Sequence, residues 1–167
     1  MKKIKKCVSR NSGFTLIELF VVISIIGILA SMTFVSYSGA QKQTRDTQRR
    51  SDLAQYRNGL ANYAANHNGL YPGYTDTQTI NPGANLCSEL VPNFISACLE
   101  DPNPTIYDYY YISNGTDNLG DDTATQYLLY AELETGGFWV VCSDGRVGKY
   151  DCTSAPSSIT CVAGKSC

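Results

Sequence analysis

Seven cysteines, a single histidine, one acid inside a long apolar run and one acid-rich loop are the residues of this 167-residue chain with chemistry to do. Cys7, Cys87, Cys98, Cys142, Cys152, Cys161 and Cys167 are many for a cytosolic protein of this size. If a leader carrying Cys7 is removed, the six that remain can form three disulfides in an oxidising compartment, with scattered reduced core cysteines as the alternative. Nearness in sequence, which keeps the closed loops short, favours Cys87–Cys98 and Cys142–Cys152. The stretch Asn114–Asp122 places Asp117, Asp121 and Asp122 among asparagines and glycines. Oxygen donors so spaced suit a hard cation, calcium above all, although the pattern is not that of an EF-hand; a solvated acidic loop is the alternative. His67 has no partners in a Cys-x-x-Cys or His-Glu-x-x-His pattern and no Ser/His/Asp set around it. The chain is therefore read as carrying no catalytic residues and no cofactor beyond calcium.

Charge is distributed unevenly. Lys2, Lys3, Lys5, Lys6 and Arg10 supply five of the 13 basic residues, whereas residues 61–167 hold Arg146, Lys149 and Lys165 against twelve acids. So acidic a body argues against direct nucleic-acid binding. The basic head leads into Phe14–Val35, 22 residues with one charge, Glu18. As a helix at ~1.5 Å per residue this run measures about 33 Å and matches a bilayer core of roughly 30 Å. It reads as a membrane span with the head in the cytoplasm and all that follows outside, where disulfides persist. A secretory signal peptide cut near Ala30-Ser31 is the rival, but the run is too long and carries a carboxylate four residues in.

The helical pattern continues past the apolar run. Leu53, Tyr56, Leu60, Tyr63 and Ala64 lie on one face of a helix ending near Asn68-Gly69, so Phe14 to His67 reads as one helix of roughly 80 Å, apolar all round in its first half and amphipathic in its second. A Pro/Gly/Asn-rich loop follows from Tyr71 to Asn85, and Leu86–Phe94 holds a short helix. Tyr107–Ile112, Gln126–Glu134 and Phe138–Cys142 read as strands, with Tyr127, Leu129, Ala131 and Leu133 on one side and Thr135-Gly136-Gly137 as a hairpin turn. Alternate tyrosines of the Tyr107–Tyr111 run belong to the sheet core. The expected fold is α+β: a long N-terminal helix laid on a small antiparallel sheet of three or four strands. A cysteine-rich tail, Asp151–Cys167, depends on disulfides for its order.

The lysine-rich head, Gly13, Phe14-Thr15-Leu16-Ile17-Glu18 and the apolar helix resemble the class III signal of type IV pilins and of the pseudopilins of type II secretion. Asn62-Tyr-Ala-Ala-Asn-His-Asn-Gly-Leu-Tyr-Pro72, Leu90–Ile95, Glu100-Asp101-Pro102, Tyr109–Ile112 and Tyr127–Glu134 are similar to the bodies of pseudopilin-like subunits. The resemblance implies a leader, residues 1–13, removed after Gly13 by a prepilin peptidase that methylates the new terminus, Phe14. It implies that Glu18 serves assembly, that 14–35 is a membrane and filament-core helix, that 36–68 is its amphipathic continuation and that 69–167 is the head. Implied partners are further copies of the chain, the peptidase, an inner-membrane assembly platform with minor pilins, and lipid before assembly. The expected place is the cytoplasmic membrane, then a surface pilus or a periplasmic pseudopilus. Val35 stands where many pilins have a helix-bending proline. The alternative function is a membrane-anchored extracytoplasmic enzyme or binding domain with a pilin-like leader.

Overall fold

The computed structural model describes residues 13–116, 120–157 and 159, and among these the side chains at 32–36 are left out. The leader before Gly13, Cys7, Asp117, Cys161 and Cys167 lie outside the described residues. The chain divides into two compact units, one ending at Ala40 and the other beginning at Gln41.

The helix α1 runs Leu16–Asn66. Its end is set by backbone conformation: Asn68 and Gly69 take φ of 55° and 82°, and the Gly69 amide returns to the Ala64 carbonyl at 2.8 Å. Such left-handed residues satisfy the last carbonyls and stop the helix. Within the second unit the sequence-predicted face is the buried one. Leu53, Tyr56 and Leu60 are fully buried and Tyr63 and Ala64 nearly so.

Among the described residues seven strands and one short helix follow: β1 (Tyr71–Pro72), β2 (Gln78–Ile80), α2 (Asn85–Leu90), β3 (Tyr109–Ser113), β4 (Asp122–Ala124), β5 (Tyr127–Glu132), β6 (Phe138–Cys142) and β7 (Val147–Tyr150). A five-stranded antiparallel sheet has the order β2-β3-β5-β6-β7, and β1 pairs separately with β4. The expected three or four strands are therefore too few. β2 lies in what reads as loop, because Gln-Thr-Ile has no alternation of its own and is held by pairing Gln78, Thr79 and Ile80 with Tyr111, Tyr110 and Tyr109. β7 likewise exists as the return arm of a hairpin from β6. The predicted turn at Thr135–Gly137 is present, with Gly136 and Gly137 at φ of 94° and 76° and the Gly136 amide on the Leu133 carbonyl.

Both faces of this sheet are apolar and buried. Tyr109, Tyr111, Tyr127, Leu129, Ala131 and Val141 pack with Leu53, Tyr56, Leu60 and Tyr63 of α1. Ile112, Leu128, Tyr130, Phe138, Val140 and Cys142 make a second cluster on the other face. Strand alternation dictates this split, since consecutive side chains point to opposite faces. The tyrosine run divides as expected, with Tyr109 and Tyr111 in the core and Tyr110 stacked on Tyr130 at 4.9 Å on the other side.

Candidate functional site

The amino-terminal segment is built to meet other molecules. Thr15 precedes the first helical residue, and its amide and hydroxyl both donate to Glu18 Oε2, at 2.8 and 2.7 Å, while the Glu18 amide donates to Thr15 Oγ1 at 3.3 Å. This reciprocal exchange is a capping box, which satisfies helix donors that have no partner in the first turn. Sequence reading of Glu18 alone misses Thr15; the Thr-x-x-Glu spacing ahead of an apolar run is the signal that finds it.

After that cap the helix offers almost only hydrocarbon. Phe14, Leu16 and Ile17 are 90%, 84% and 66% exposed, and the large apolar residues from Leu19 to Leu29 are all exposed. Ser24 and Ser31 turn their hydroxyls back to the Phe20 and Ile28 carbonyls at 2.8 and 2.7 Å, so they add no polarity to the surface. An apolar patch on this scale marks an interaction surface, for lipid or protein. Among the described residues no helix is long and apolar enough to cross a membrane.

Within the second unit α1 is locked by charge. Arg49, fully buried, donates to both carboxylate oxygens of Asp101 at 2.6 and 2.8 Å, to Asp46 at 2.7 Å and to Glu134 at 3.1 Å, and lies 4.5 Å above the Tyr107 ring. Arg45 grips Glu134 with two bonds of 2.6 Å. Asp46 in turn accepts from the amides of Glu134 and Thr135 and from the Thr135 hydroxyl. Hydrogen bonds from Arg45 and Arg49 hold Glu134 at a pKa of about 2. Burial disfavours the Arg49 cation, but its bonds to Asp101 and Asp46 outweigh this and keep it firmly charged. Sequence reasoning missed this network, because two of its three acids, Asp101 and Glu134, stand 52 and 85 residues from Arg49.

The predicted cation loop is partly used for structure. Asn114 closes its neck, accepting from the Thr125 and Gln126 amides at 2.8 and 2.9 Å. Asp122 accepts from the Tyr63 hydroxyl and pairs with His67 Nδ1, each at 2.6 Å, tying the loop to the end of α1. Gly120, at φ 83°, passes so close to Glu89 that a Cβ there would strike the carboxylate. Glu89 Oε1 accepts from Tyr74, whereas Oε2 is buried with no hydrogen-bond partner among the described residues. Burial, with Asp122 and Asp121 nearby, raises the Glu89 pKa to about 7. Glu89 was not foreseen: it sits in α2, far from the loop in sequence. Among the described residues no group of three acidic, His or Cys side chains is arranged to hold a metal.

Cys87 and Cys98 form a disulfide with Cα atoms 5.9 Å apart, as expected, stapling α2 to the segment beyond it. Cys142 and Cys152 are also disulfide-bonded. They are not bonded to each other, which corrects the pairing drawn from sequence nearness. Since Phe138 faces Tyr150 and Val141 faces Val147, Cys142 and Cys152 lie near opposite ends of the β6–β7 hairpin, about 20 Å apart at ~3.4 Å per residue.

Residues 8–34 match the prokaryotic N-terminal methylation motif. The type II secretion system core protein G of Aeromonas hydrophila is 40% identical over 63 residues, which cover 38% of this chain and 43% of that protein. The protein of the same name from Vibrio cholerae serotype O1 is 31% identical over 144 residues, covering 82% of this chain and 89% of its own length. No solved structure matches. A likeness covering 82% of this chain and 89% of the Vibrio protein, with the methylation motif at residues 8–34, places the chain in the type II secretion system core protein G family, the pseudopilins.

Proposed function

We propose that this chain is the repeating structural subunit of a pseudopilus, cut after Gly13, methylated at Phe14, held in the inner membrane by Phe14–Val35 and then drawn into a periplasmic filament. The observation that carries the reading is the contrast within α1. From Phe14 to Leu29 its large apolar side chains are exposed and its one charge is Glu18, while from Asp46 onward one face is buried in the head. A segment that is apolar all round needs lipid or copies of itself, and bundling such segments leaves the disulfide-bonded heads on the outside. Prepilin peptidase, an assembly platform with minor subunits, and membrane lipid before assembly are the partners this cycle requires.

Glu18 gives the bundle its register. Cleavage places the Phe14 amine four residues away, about 6 Å along the helix, and in a staggered bundle the amine of an incoming subunit takes that place. A carboxylate at membrane depth costs at least ~2.5–3.5 kcal/mol unless it is paired. Calcium is the ligand proposed for the Asn114–Asp122 loop, held by Asp117 and Asp121 with backbone carbonyls, and by Asp122 as far as Tyr63 and His67 leave it free. The buried Glu89 oxygen beside the loop, without a partner among the described residues, supports a cation there. Calcium would supply loop order and no catalysis.

Mass spectrometry of protein extracted from membranes tests the processing step. The reading expects a methylated Phe14 as first residue; a protein beginning near Met32 would replace it with a secreted domain.

A further inference from the structure

The segment between α2 and β3 grips the buried face of α1, and the Cys87–Cys98 disulfide closes its grip. Ile95 fits against Gly59 of α1, where a Cβ would strike Ile95 Cγ2. Phe94 lies edge-on to Tyr63, one helical turn further on, with ring centroids 5.1 Å apart. One turn before Gly59, the hydroxyl of the fully buried Tyr56 donates to the Leu99 carbonyl and accepts from the Leu99 amide, both at 2.7 Å. The same hydroxyl stands 3.6 Å from Cys98 Sγ. Cys87 is 3% exposed and Cys98 only half-buried. Both line a groove of about 250 Å³ with Pro82, Gly83, Ser88 and Val91.

We propose that the Cys87–Cys98 disulfide is a redox latch on this contact, opened by a dithiol oxidoreductase whose thiolate enters the groove and attacks Cys98 Sγ. Access selects the sulfur, since exchange requires the attacking thiolate to reach it. The S–S bond breaks towards Cys87, which leaves as a thiolate and takes a proton from water. The second thiol of the oxidoreductase then attacks the mixed disulfide and releases Cys98. Two electrons and two protons pass to the head, and the dithiol becomes a disulfide. Tyr56 couples this exchange to the helix, because a hydroxyl has one proton to donate. In the oxidised head that proton goes to the Leu99 carbonyl. A Cys98 thiolate competes for it, and ionised acceptors bind roughly twice as strongly as neutral ones. Burial pushes the Tyr56 pKa up to about 12, so the hydroxyl keeps its proton and answers with a hydrogen bond. Opening the bridge also removes the closure between residues 11 apart that limits the freedom of this segment. Leu99, Ile95 and Phe94 then release α1 together.

The detergent-solubilised full chain tests the latch. Brief exposure to reduced glutathione, quenched with N-ethylmaleimide, should leave glutathione on Cys98 and the maleimide on Cys87, which chymotryptic cleavage at Phe94 separates. The reverse labelling, or neither cysteine labelled, overturns the site of attack. In Cys87→Ser/Cys98→Ser, amide exchange across 93–99 should rise about tenfold or more while β3 and β5 stay protected. Unchanged exchange there, or loss of protection in β3 as well, overturns a local latch. Tyr56→Phe keeps the ring and removes the hydroxyl. Leu99 should then exchange fast in the oxidised protein and no faster after dithiothreitol, whereas a redox response at Leu99 equal to that of the wild type overturns the role of Tyr56.

Discussion

Replacing Arg49 by methionine removes four charge-assisted hydrogen bonds and the only buried cation among Asp46, Asp101 and Glu134, leaving Arg45 alone against three carboxylates. Asp101 and Asp46 have side chains 0% and 3% exposed, so water cannot take over. Breaking one side of such a buried pair costs about 3–5 kcal/mol, set against a typical total stability of about 5–15 kcal/mol. For a chain of this size that is a fall in Tm of about 6–20 °C at roughly 2–4 °C per kcal/mol. The neighbouring Arg50 is the control, since it is exposed and only rests 4.5 Å from the Trp139 ring, worth about 0.5–1 kcal/mol. Urea unfolding of the detergent-solubilised protein, followed by circular dichroism, measures both. Arg49→Met combined with Asp101→Asn should lose less than the two single variants added together, because the uncompensated charge disappears while Asn still accepts from the Asn103 amide. A loss below 1 kcal/mol for Arg49→Met, equal to that of Arg50→Met, would refute the lock between helix and head.

Two further outcomes follow from the same contacts. The Glu134 pKa is depressed from 4.5 to about 2, so its contribution is complete above about pH 4.5 and is lost as pH falls towards 2; acid titration of stability should show a decline in that window that shrinks in Glu134→Gln. Millimolar calcium should raise the melting temperature relative to chelator, and Asp121→Asn should reduce the gain; an equal midpoint with calcium and with chelator leaves a solvated loop.

Much of this architecture was written locally. The face Leu53, Tyr56, Leu60, Tyr63, Ala64 is set by helical period alone, and β5 and β6 by apolar runs around a Gly-Gly turn, so these were legible. β2 and β7 were not, since their residues carry no strand pattern and are ordered by the neighbours they pair with. The same cause hid the Arg49 network and Glu89, whose partners come from distant elements. Cys142 misled through proximity: ten residues in sequence became about 20 Å because a hairpin end separates it from Cys152. At the amino terminus the motif carried both the family and Glu18, but the local role of Thr15 emerged only with the helix cap.

Assembly through Glu18 is the central claim, and electron microscopy of filaments from cells expressing wild type or Glu18→Gln tests it most directly, with membrane fractionation run on the same cells. The account predicts that the variant is cleaved after Gly13 and accumulates in the membrane at wild-type levels, with its head folded, yet forms no filaments. Filaments of Glu18→Gln at wild-type abundance and with unchanged axial spacing between subunits would contradict it.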